Sequence, residues 1–358
     1  MKRIPGNLKI KAYHAITSQK VRQIGNSYKT CLIGGNNCSK AISSHSVSVS
    51  ALKTIAHDGH VYTFQSPTYD ELNNIYATCK YHPKLLGIKK ASTYFGFCNI
   101  HDDSIFSEIE KIDIYPTNQQ VFLFHFRAYS RTLYQNINGD IALREIYNTK
   151  IPFGQESIDA RLKIASYFKP QEAAFLDLSN NYERMKLCLE AKKNPMLSSI
   201  FIRINCIPDV MCSAILSPVY DFEGNFLLPL LIENELDFCQ TMSITISKDS
   251  MGGFILLSWN DDDILTGSFI KTFIKSGFDF NRLIAIIFGN TENFFFDERW
   301  WHSLDDERRN LLMYFASVTF LSIADLSQDH WQLMYRTLVN NQKKYVNWQI
   351  LSIDQIKG

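Results

Sequence analysis

Two pairs of Cys and His residues, far apart in the chain, constrain the fold more than any other feature of the sequence. Two residues separate Cys98 from His101, so that a thiolate and an imidazole lie one helical turn apart and can reach a single ion. Upstream, six residues separate Cys31 from Cys38. Structural zinc needs four soft or borderline ligands at the corners of a tetrahedron. The sequence therefore predicts a zinc site that staples two distant parts of the chain together.

Other residues compete for a place in this site. Cys79 and His82 have the same two-residue spacing, but no helical pattern follows them. His45 is an alternative ligand to Cys38, because six intervening residues are more than the usual two to four between paired zinc cysteines. A pair of buried thiols without a metal is a further alternative.

The start of the chain and its cysteines indicate a compartment. Lys2 and Arg3 are followed by polar sequence rather than by an apolar segment, so no signal peptide is predicted and we expect a cytoplasmic protein. Cytosolic thiols stay reduced, which favours metal binding over disulfides. The longest apolar run near the end, 311–324, is too short to cross a bilayer, and no membrane partner is expected.

Charge is distributed unevenly. The first 57 residues contain nine Lys or Arg and no Asp or Glu, whereas the whole chain of 358 residues has a formal net charge of +1. A basic segment attached to an acidic remainder is typical of a surface that faces a polyanion, and nucleic acid, DNA in particular, is the expected partner. A solvated basic tail is the alternative.

The first 115 residues combine strand, loop and helix signals. Apolar and polar residues alternate over 41–52, which predicts a strand or hairpin. The polar stretch 66–90 contains two prolines and predicts an inserted loop. Residues 102–111 predict a helix with Ile105, Phe106 and Ile109 on its buried face.

The remainder divides into a helical part and a strand-rich part. Helical periodicity covers 119–133, 160–168 and 172–192. After Pro195, short runs of Ile, Val, Phe and Leu are separated by turns. Helices are then predicted at 262–276, 281–290 and 306–321, the first with an N-cap among Asp261, Asp262 and Asp263.

The predicted fold class is α+β, and the length suggests two or three domains. We expect an N-terminal zinc-stapled module with a basic arm at 1–115, a helical region at 116–196, and an antiparallel sheet with helices at 197–358. The last region is the expected surface for a homo-oligomer or a partner protein.

The order of these features resembles the HNH nucleases, whose module is a ββα-metal fold of the treble-clef type. The resemblance rests on the Cys-x6-Cys pair, the step Ser44-His45 and the GFCxxHD sequence that enters an acidic, apolar helix, and it covers about residues 28–115. The pattern SH…GHVY…GFCxxHD is also similar to that of a loosely defined group of prokaryotic proteins. In HNH nucleases a zinc knuckle joins the hairpin to the helix, a His at the end of the first strand activates water, and helix residues hold a divalent cation.

The resemblance implies roles for particular residues. His45 matches the general base, Asp102 matches the middle position of the motif, and Glu110 falls near its final His. Ser44 stands where many HNH enzymes have an acidic residue. The implied cofactors are catalytic Mg²⁺ or Mn²⁺ and a structural Zn²⁺ at Cys31, Cys38, Cys98 and His101. The implied activity is metal-dependent endonuclease cleavage of DNA or RNA, in antiphage defence or as a toxin.

The chemistry of these residue types is consistent with phosphodiester hydrolysis. A His supplies a base near neutral pH, and carboxylates suit Mg²⁺ or Mn²⁺. Asp103 and Glu110 are seven residues apart and share one helix face. His60 is a second candidate base, with a structural hairpin His as the alternative. Arg127 and Arg131, one turn apart, would contact phosphates or form salt bridges along a helix.

Each role has a structural alternative. Asp102 and Asp103 would cap the helix, Glu110 would lie on a solvated face, and His45 would bind zinc. Two other functions compete with catalysis: a zinc-stabilised module that only binds nucleic acid, and a C-terminal interaction or ligand-binding domain for which zinc is purely structural.

Overall fold

The computed structural model describes residues 28–35, 38–65, 67–148, 175–217, 220–225, 227, 242–320, 333, 336–338 and 340–357. Most of the basic arm and the predicted helix at 160–168 lie outside these residues. Within them the chain is a mixed α+β protein with antiparallel sheets, as the sequence predicts.

The first part of the chain alternates strands with short helices. Its elements are β1 (Ala41–His45), α1 (Val49–Ile55), β2 (His60–Thr63), α2 (Tyr69–Thr78), β3 (Lys84–Gly87), β4 (Thr93–Cys98) and α3 (Asn99–Glu110). The prediction of a loop over 66–90 is wrong, because α2 and β3 lie there. Thr68 and Glu71 form a capping box at the start of α2, in which each side chain accepts a hydrogen bond from the other residue's backbone N–H. This Thr-x-x-Glu signal was present in the sequence.

The remaining elements run from helices to strands and then to helices, as predicted, but a strand at 294–296, a helix at 298–303 and a strand at 350–357 were not predicted. These elements are α4 (Asn118–Asn148), α5 (175–190), β5 (Leu197–Ile204), β6 (Val210–Leu216), β7 (Met242–Asp249), β8 (Gly252–Asn260), α6 (Ile264–Lys275), α7 (Phe280–Asn290), β9 (Phe294–Phe296), α8 (Glu298–Ser303), α9 (Asp306–Phe320) and β10 (Ile350–Lys357). Asp263 is the N-cap of α6, since its carboxylate accepts the Thr266 N–H at 2.8 Å. The helices predicted at 262–276, 281–290 and 306–321 are confirmed as α6, α7 and α9.

In the described parts of the chain, eight strands form one antiparallel sheet in the order β10-β5-β8-β7-β6-β9-β2-β3, and β1 pairs separately with β4. Because side chains alternate between the faces of a strand, Ile200 and Ile202 pack under α6, α7 and α9, whereas Phe201 packs towards α4 and α3. Strands β2 and β3 come from the first 115 residues, and Tyr62 of β2 is paired with Phe296 of β9. The sheet therefore contains strands from both sides of the predicted domain boundary between residues 115 and 116.

An ion pair ties the end of α3 to this sheet. Arg203 donates to both carboxylate oxygens of Asp249, at 2.7 and 3.1 Å, and both side chains are almost fully buried. The backbone of Ile114 completes the network, with its carbonyl 2.9 Å from Arg203 and its N–H 2.9 Å from Asp249. The helix that carries the candidate site is thereby held against β5 and β7.

A buried histidine lies between α4 and the sheet. Nδ1 of His125 is 2.8 Å from Oγ of Ser243 and 3.2 Å from Oγ of Ser258, and the two hydroxyls are 2.7 Å apart. Burial lowers the pKa of His125 to about 3. Since an unfolded His binds a proton below about pH 6.5, the unfolded state binds more protons between that pH and 3.

We therefore expect His125 to make the protein less stable as pH falls through this window. The free energy of unfolding of the wild type should drop by about 2 kcal/mol more than that of His125→Asn between about pH 6 and about pH 4.5. Chemical denaturation of both proteins at each pH measures the difference. Parallel slopes for the wild type and His125→Asn would contradict the prediction.

Among the helices that the structure describes, none is long and apolar enough to cross a membrane.

Candidate metal centre and adjoining polar site

The four predicted zinc ligands come together at the junction of β4 and α3. Cys98 ends β4 and is the N-cap of α3, which places His101 on the first turn of the helix. The segment with Cys31 and Cys38 is held alongside, because the N–H of Leu32 donates to the Gly96 carbonyl at 2.8 Å.

A turn between the first two cysteines brings both sulfurs to one place. Gly34 and Gly35 have φ values of +74° and +99°, which glycine adopts without steric cost. The N–H of Cys38 donates to the Gly35 carbonyl at 3.2 Å and closes the turn. A spacing of six residues is therefore compatible with one site here.

The ligand atoms of this group, called the Cys/His cluster below, are mutually close. Nδ1 of His101 lies 3.3, 3.4 and 3.5 Å from the sulfurs of Cys31, Cys98 and Cys38, and the sulfurs of Cys38 and Cys98 are 3.9 Å apart. All four atoms lie within 4.8 Å of one another. Together they could hold a metal ion, and no other such group occurs in the described parts of the chain.

The electrostatics of the sulfurs favour a cation between them. Burial and the neighbouring thiols Cys31 and Cys98 raise the pKa of Cys38 to about 12. Burial also acts to raise the pKa of Cys98, but hydrogen bonds from the backbone of His101 and Ser39 lower it to about 6. Several thiolates at this distance repel one another unless a positive ion neutralises them.

His45 is not a member of the cluster. It ends β1, where its partner on β4 is Thr93, and its Nε2 is buried without a hydrogen-bond partner. Burial lowers the pKa of His45, whereas the backbone of Ile88 and the carboxylates of Glu110 and Asp102 act in the opposite direction. The side chain that was predicted as general base thus lies within electrostatic reach of both predicted carboxylates.

Asp102 follows the cluster directly and is half-buried on α3. Burial raises the pKa of Asp102, and the negative charge of Glu110 acts in the same direction. The positive charge of Arg127 acts to lower it, as does His45 when that residue is protonated. Ser44 also lowers the pKa of Asp102, although its buried Oγ makes no hydrogen bond of normal geometry. Asp103 points elsewhere and pairs with Lys111 at the surface.

Glu110 is paired with a buried arginine instead of lying on a freely solvated face. Its Oε1 accepts a hydrogen bond from Nη2 of Arg127 at 2.7 Å, and the Arg127 side chain is 3% exposed. The guanidinium carbon of Arg127 also lies 4.1 Å from the ring centre of Phe106, in a cation–π contact. The helix α4 thereby contributes a positive charge to the site.

Two further residues, one on β4 and one on α4, have buried polar atoms. Tyr94 on β4 has a buried hydroxyl without a partner, and Arg131, one turn after Arg127 on α4, has a buried Nε without one. Burial raises the pKa of Tyr94. The positive charges of Arg127 and Arg131 act to lower it, and the negative charges of Asp102 and Glu110 act to raise it further. Tyr94 was missed from the sequence, because an aromatic residue in an alternating strand is indistinguishable from core.

Other predicted candidates lie away from this site. His60 is exposed on β2, with Nδ1 2.8 Å from the Asp58 carbonyl. Cys79 caps the C-terminus of α2 in a left-handed conformation and joins no metal-ligand group. A cleft of about 280 Å³ opens beside Glu110 and Arg127, and Ser46 and Lys248 also line it.

The chain matches no protein-family model, and it has no significant similarity to curated proteins or to solved structures.

Proposed function

We propose that the Cys/His cluster holds a structural zinc ion. At Zn–S and Zn–N distances of about 2.3 and 2.0 Å, a tetrahedron has S–S edges of about 3.8 Å and S–N edges of about 3.5 Å. The corresponding separations here are 3.9 Å between Cys38 and Cys98 and 3.3 to 3.5 Å from His101 to the sulfurs. Three thiolates and one imidazole are also the soft and borderline ligands that zinc prefers.

We further propose that the protein is an HNH-like, metal-dependent nuclease that hydrolyses phosphodiester bonds of DNA or RNA. The observation that carries this proposal is the buried Nε2 of His45, which has no hydrogen-bond partner. The negative charges of Glu110 and Asp102 act to raise the pKa of His45, against the effect of burial, so both carboxylates lie within electrostatic reach of it. This arrangement combines a base that stays neutral at working pH with oxygen ligands for a hard cation.

The chemistry follows from these side chains. Neutral His45 accepts a proton from water at Nε2 while the water oxygen attacks phosphorus. The P–O bond to the leaving oxygen breaks, and that oxygen takes a proton from solvent. Asp102 and Glu110 would hold Mg²⁺ or Mn²⁺, which stabilises negative charge on the phosphate and on the leaving oxygen. Because Arg127 occupies one oxygen of Glu110, the other oxygen remains for the cation.

The test is cleavage of nucleic acid by the full zinc-loaded chain. Supercoiled plasmid, linear duplex, single-stranded DNA and single-stranded RNA are incubated separately with Mg²⁺, Mn²⁺ or EDTA. We expect nicked or shortened products from at least one substrate with a divalent cation and none with EDTA. If the protein binds nucleic acid in a salt-dependent manner but cleaves none of the substrates with either cation, the binding-module alternative replaces this proposal.

The pH dependence of cleavage is a separate prediction. Because burial lowers the pKa of His45, the neutral, active form persists below the usual His pKa of about 6.5. We expect the rate at saturating Mg²⁺ to be level above this value and to fall only at lower pH. Single-turnover rates across the pH range give the pH at which the cleavage rate is half its maximum. A midpoint clearly above the usual His pKa of about 6.5 would contradict the assignment of His45 as base.

A further inference from the structure

The cleft beside Glu110 has a polar interior that the proposed chemistry does not use. Its lining includes six hydroxyl side chains, those of Ser46, Ser48, Ser50, Thr245, Ser247 and Ser250. Thr245 and Ser247 on β7 are only 3% and 7% exposed, so they lie deep in the cleft. Within the described parts of the chain neither of these two hydroxyls makes a hydrogen bond. Both are therefore free to donate to, or accept from, a polar ligand.

The charged side chains of the cleft are paired, with one exception. All but one have partners in the protein, which are Arg127 for Glu110, Arg203 for Asp249, Ser250 for Asp113 and Asp103 for Lys111. The exception is Lys248, the residue after Ser247, which forms no ion pair with any residue that the structure describes. An ammonium group without a counter-ion, next to free hydroxyls, favours an anionic ligand such as a phosphate group.

Exposed apolar side chains border the same cleft. Ile112, Tyr115 and Met251 are 56%, 61% and 44% exposed; Ile112 lines the cleft, and the other two directly follow residues that line it. The two loops that carry them are joined, because the N–H of Ser250 donates to Oδ1 of Asp113 at 3.3 Å. An aromatic ring in solvent beside a polar cleft is a surface on which a base can stack.

The size of the cleft limits what can enter it. Its volume of about 280 Å³ is close to the lower end of small-ligand pockets, roughly 300 Å³, which corresponds to about one nucleotide. The bases of a duplex are paired and stacked inside it, so they cannot reach a side chain such as Tyr115 unless the strands separate. A polar cleft with an exposed ring at its edge therefore fits an unpaired strand, whose phosphates and base faces are both accessible.

We propose that this cleft binds single-stranded nucleic acid beside the scissile phosphate. Lys248 and the hydroxyls of Thr245 and Ser247 bind the phosphate and sugar of one nucleotide, and a neighbouring base stacks on Tyr115. The inference rests on the proposed function, because Glu110, a proposed ligand of the catalytic cation, also lines the cleft. It specifies the substrate as a single strand, or an unpaired region, of DNA or RNA.

The test measures binding without cleavage. A labelled single-stranded oligonucleotide and the duplex of the same sequence are titrated with the full zinc-loaded chain, without added Mg²⁺ or Mn²⁺, and followed by fluorescence anisotropy. Tyr115→Ala should weaken binding of the single strand about tenfold, because a stacked base loses its platform. Binding of the duplex should not change in this variant. Tyr115→Phe keeps the ring and should retain most of the affinity for the single strand.

Lys248→Ala tests the phosphate contact separately. The slope of log K against log salt for the single strand should become shallower by about 0.7, the value for one phosphate contact. Lys193→Ala is the matched control, since it removes the same charge from an exposed position after α5 that does not line the cleft. Its slope should equal that of the wild type.

The outcomes separate this inference from the proposed function. Single-strand binding that depends on Tyr115 and Lys248, in a protein that cleaves no nucleic acid, would support the strand-binding cleft and remove the nuclease proposal. Wild-type single-strand affinity in both Tyr115→Ala and Lys248→Ala, in a protein that cleaves, would overturn the cleft while the nuclease proposal stands. Equal weakening of single-strand and duplex binding by Tyr115→Ala, or no binding of the single strand at low salt, would also overturn it.

Discussion

Replacing His45 with alanine should lower the rate of phosphodiester cleavage by about 10²- to 10⁴-fold, the usual contribution of a general base. Neither His60 nor His101 can take its place, because His60 is exposed on β2 and His101 belongs to the Cys/His cluster. The residual rate should still require a divalent cation, since Asp102 and Glu110 remain. Single-turnover cleavage at saturating Mg²⁺ measures the effect.

The controls for this variant are a second histidine and the metal content. His60→Ala alters an exposed side chain and should leave the rate within about twofold of the wild type. His45→Ala should retain its zinc, because the four cluster residues do not include His45. If His45→Ala cleaves at the wild-type rate, His45 is not the general base. If His45→Ala loses its zinc, His45 is a zinc ligand instead.

Replacing Cys98 with serine should have the largest effect on stability. Structural zinc sites contribute about 10 kcal/mol or more of apparent binding free energy, and serine is a poor ligand for the ion. Cys98 also joins β4 to α3, so that its loss frees Cys31, Cys38 and His101 from a common centre. We expect zinc content to fall from about one per chain towards zero and the melting temperature to drop by about 10 °C or more.

Cys79→Ser is the matched control for this prediction. Cys79 belongs to the competing Cys-x2-His pair but lies at the end of α2, outside the Cys/His cluster. Its replacement should leave zinc content and melting temperature close to those of the wild type. Elemental analysis and thermal denaturation measure both quantities, and a wild-type protein without bound zinc would contradict the proposed staple.

The sequence alone predicted the features that depend on local spacing. Cys98 and His101 are three positions apart at a helix start, so their geometry is set by one turn of backbone. The helices at 264–275, 280–290 and 306–320 were likewise predicted from periodicity and from a cap such as Asp263. The capping box of Thr68 and Glu71 was just as local but was overlooked in a polar stretch with two prolines.

Features that depend on long-range packing were decided only by the tertiary structure. The sequence does not reveal that β2 joins a sheet formed mainly after residue 196, because strand pairing depends on neighbours that one strand does not specify. It also does not reveal that Arg127 reaches Glu110, or that the hydroxyl of Tyr94 is buried without a hydrogen-bond partner. The metal-ligand spacing follows from the chain itself, whereas the environment of His45 exists only once α3, α4 and the β1–β4 pair are packed together.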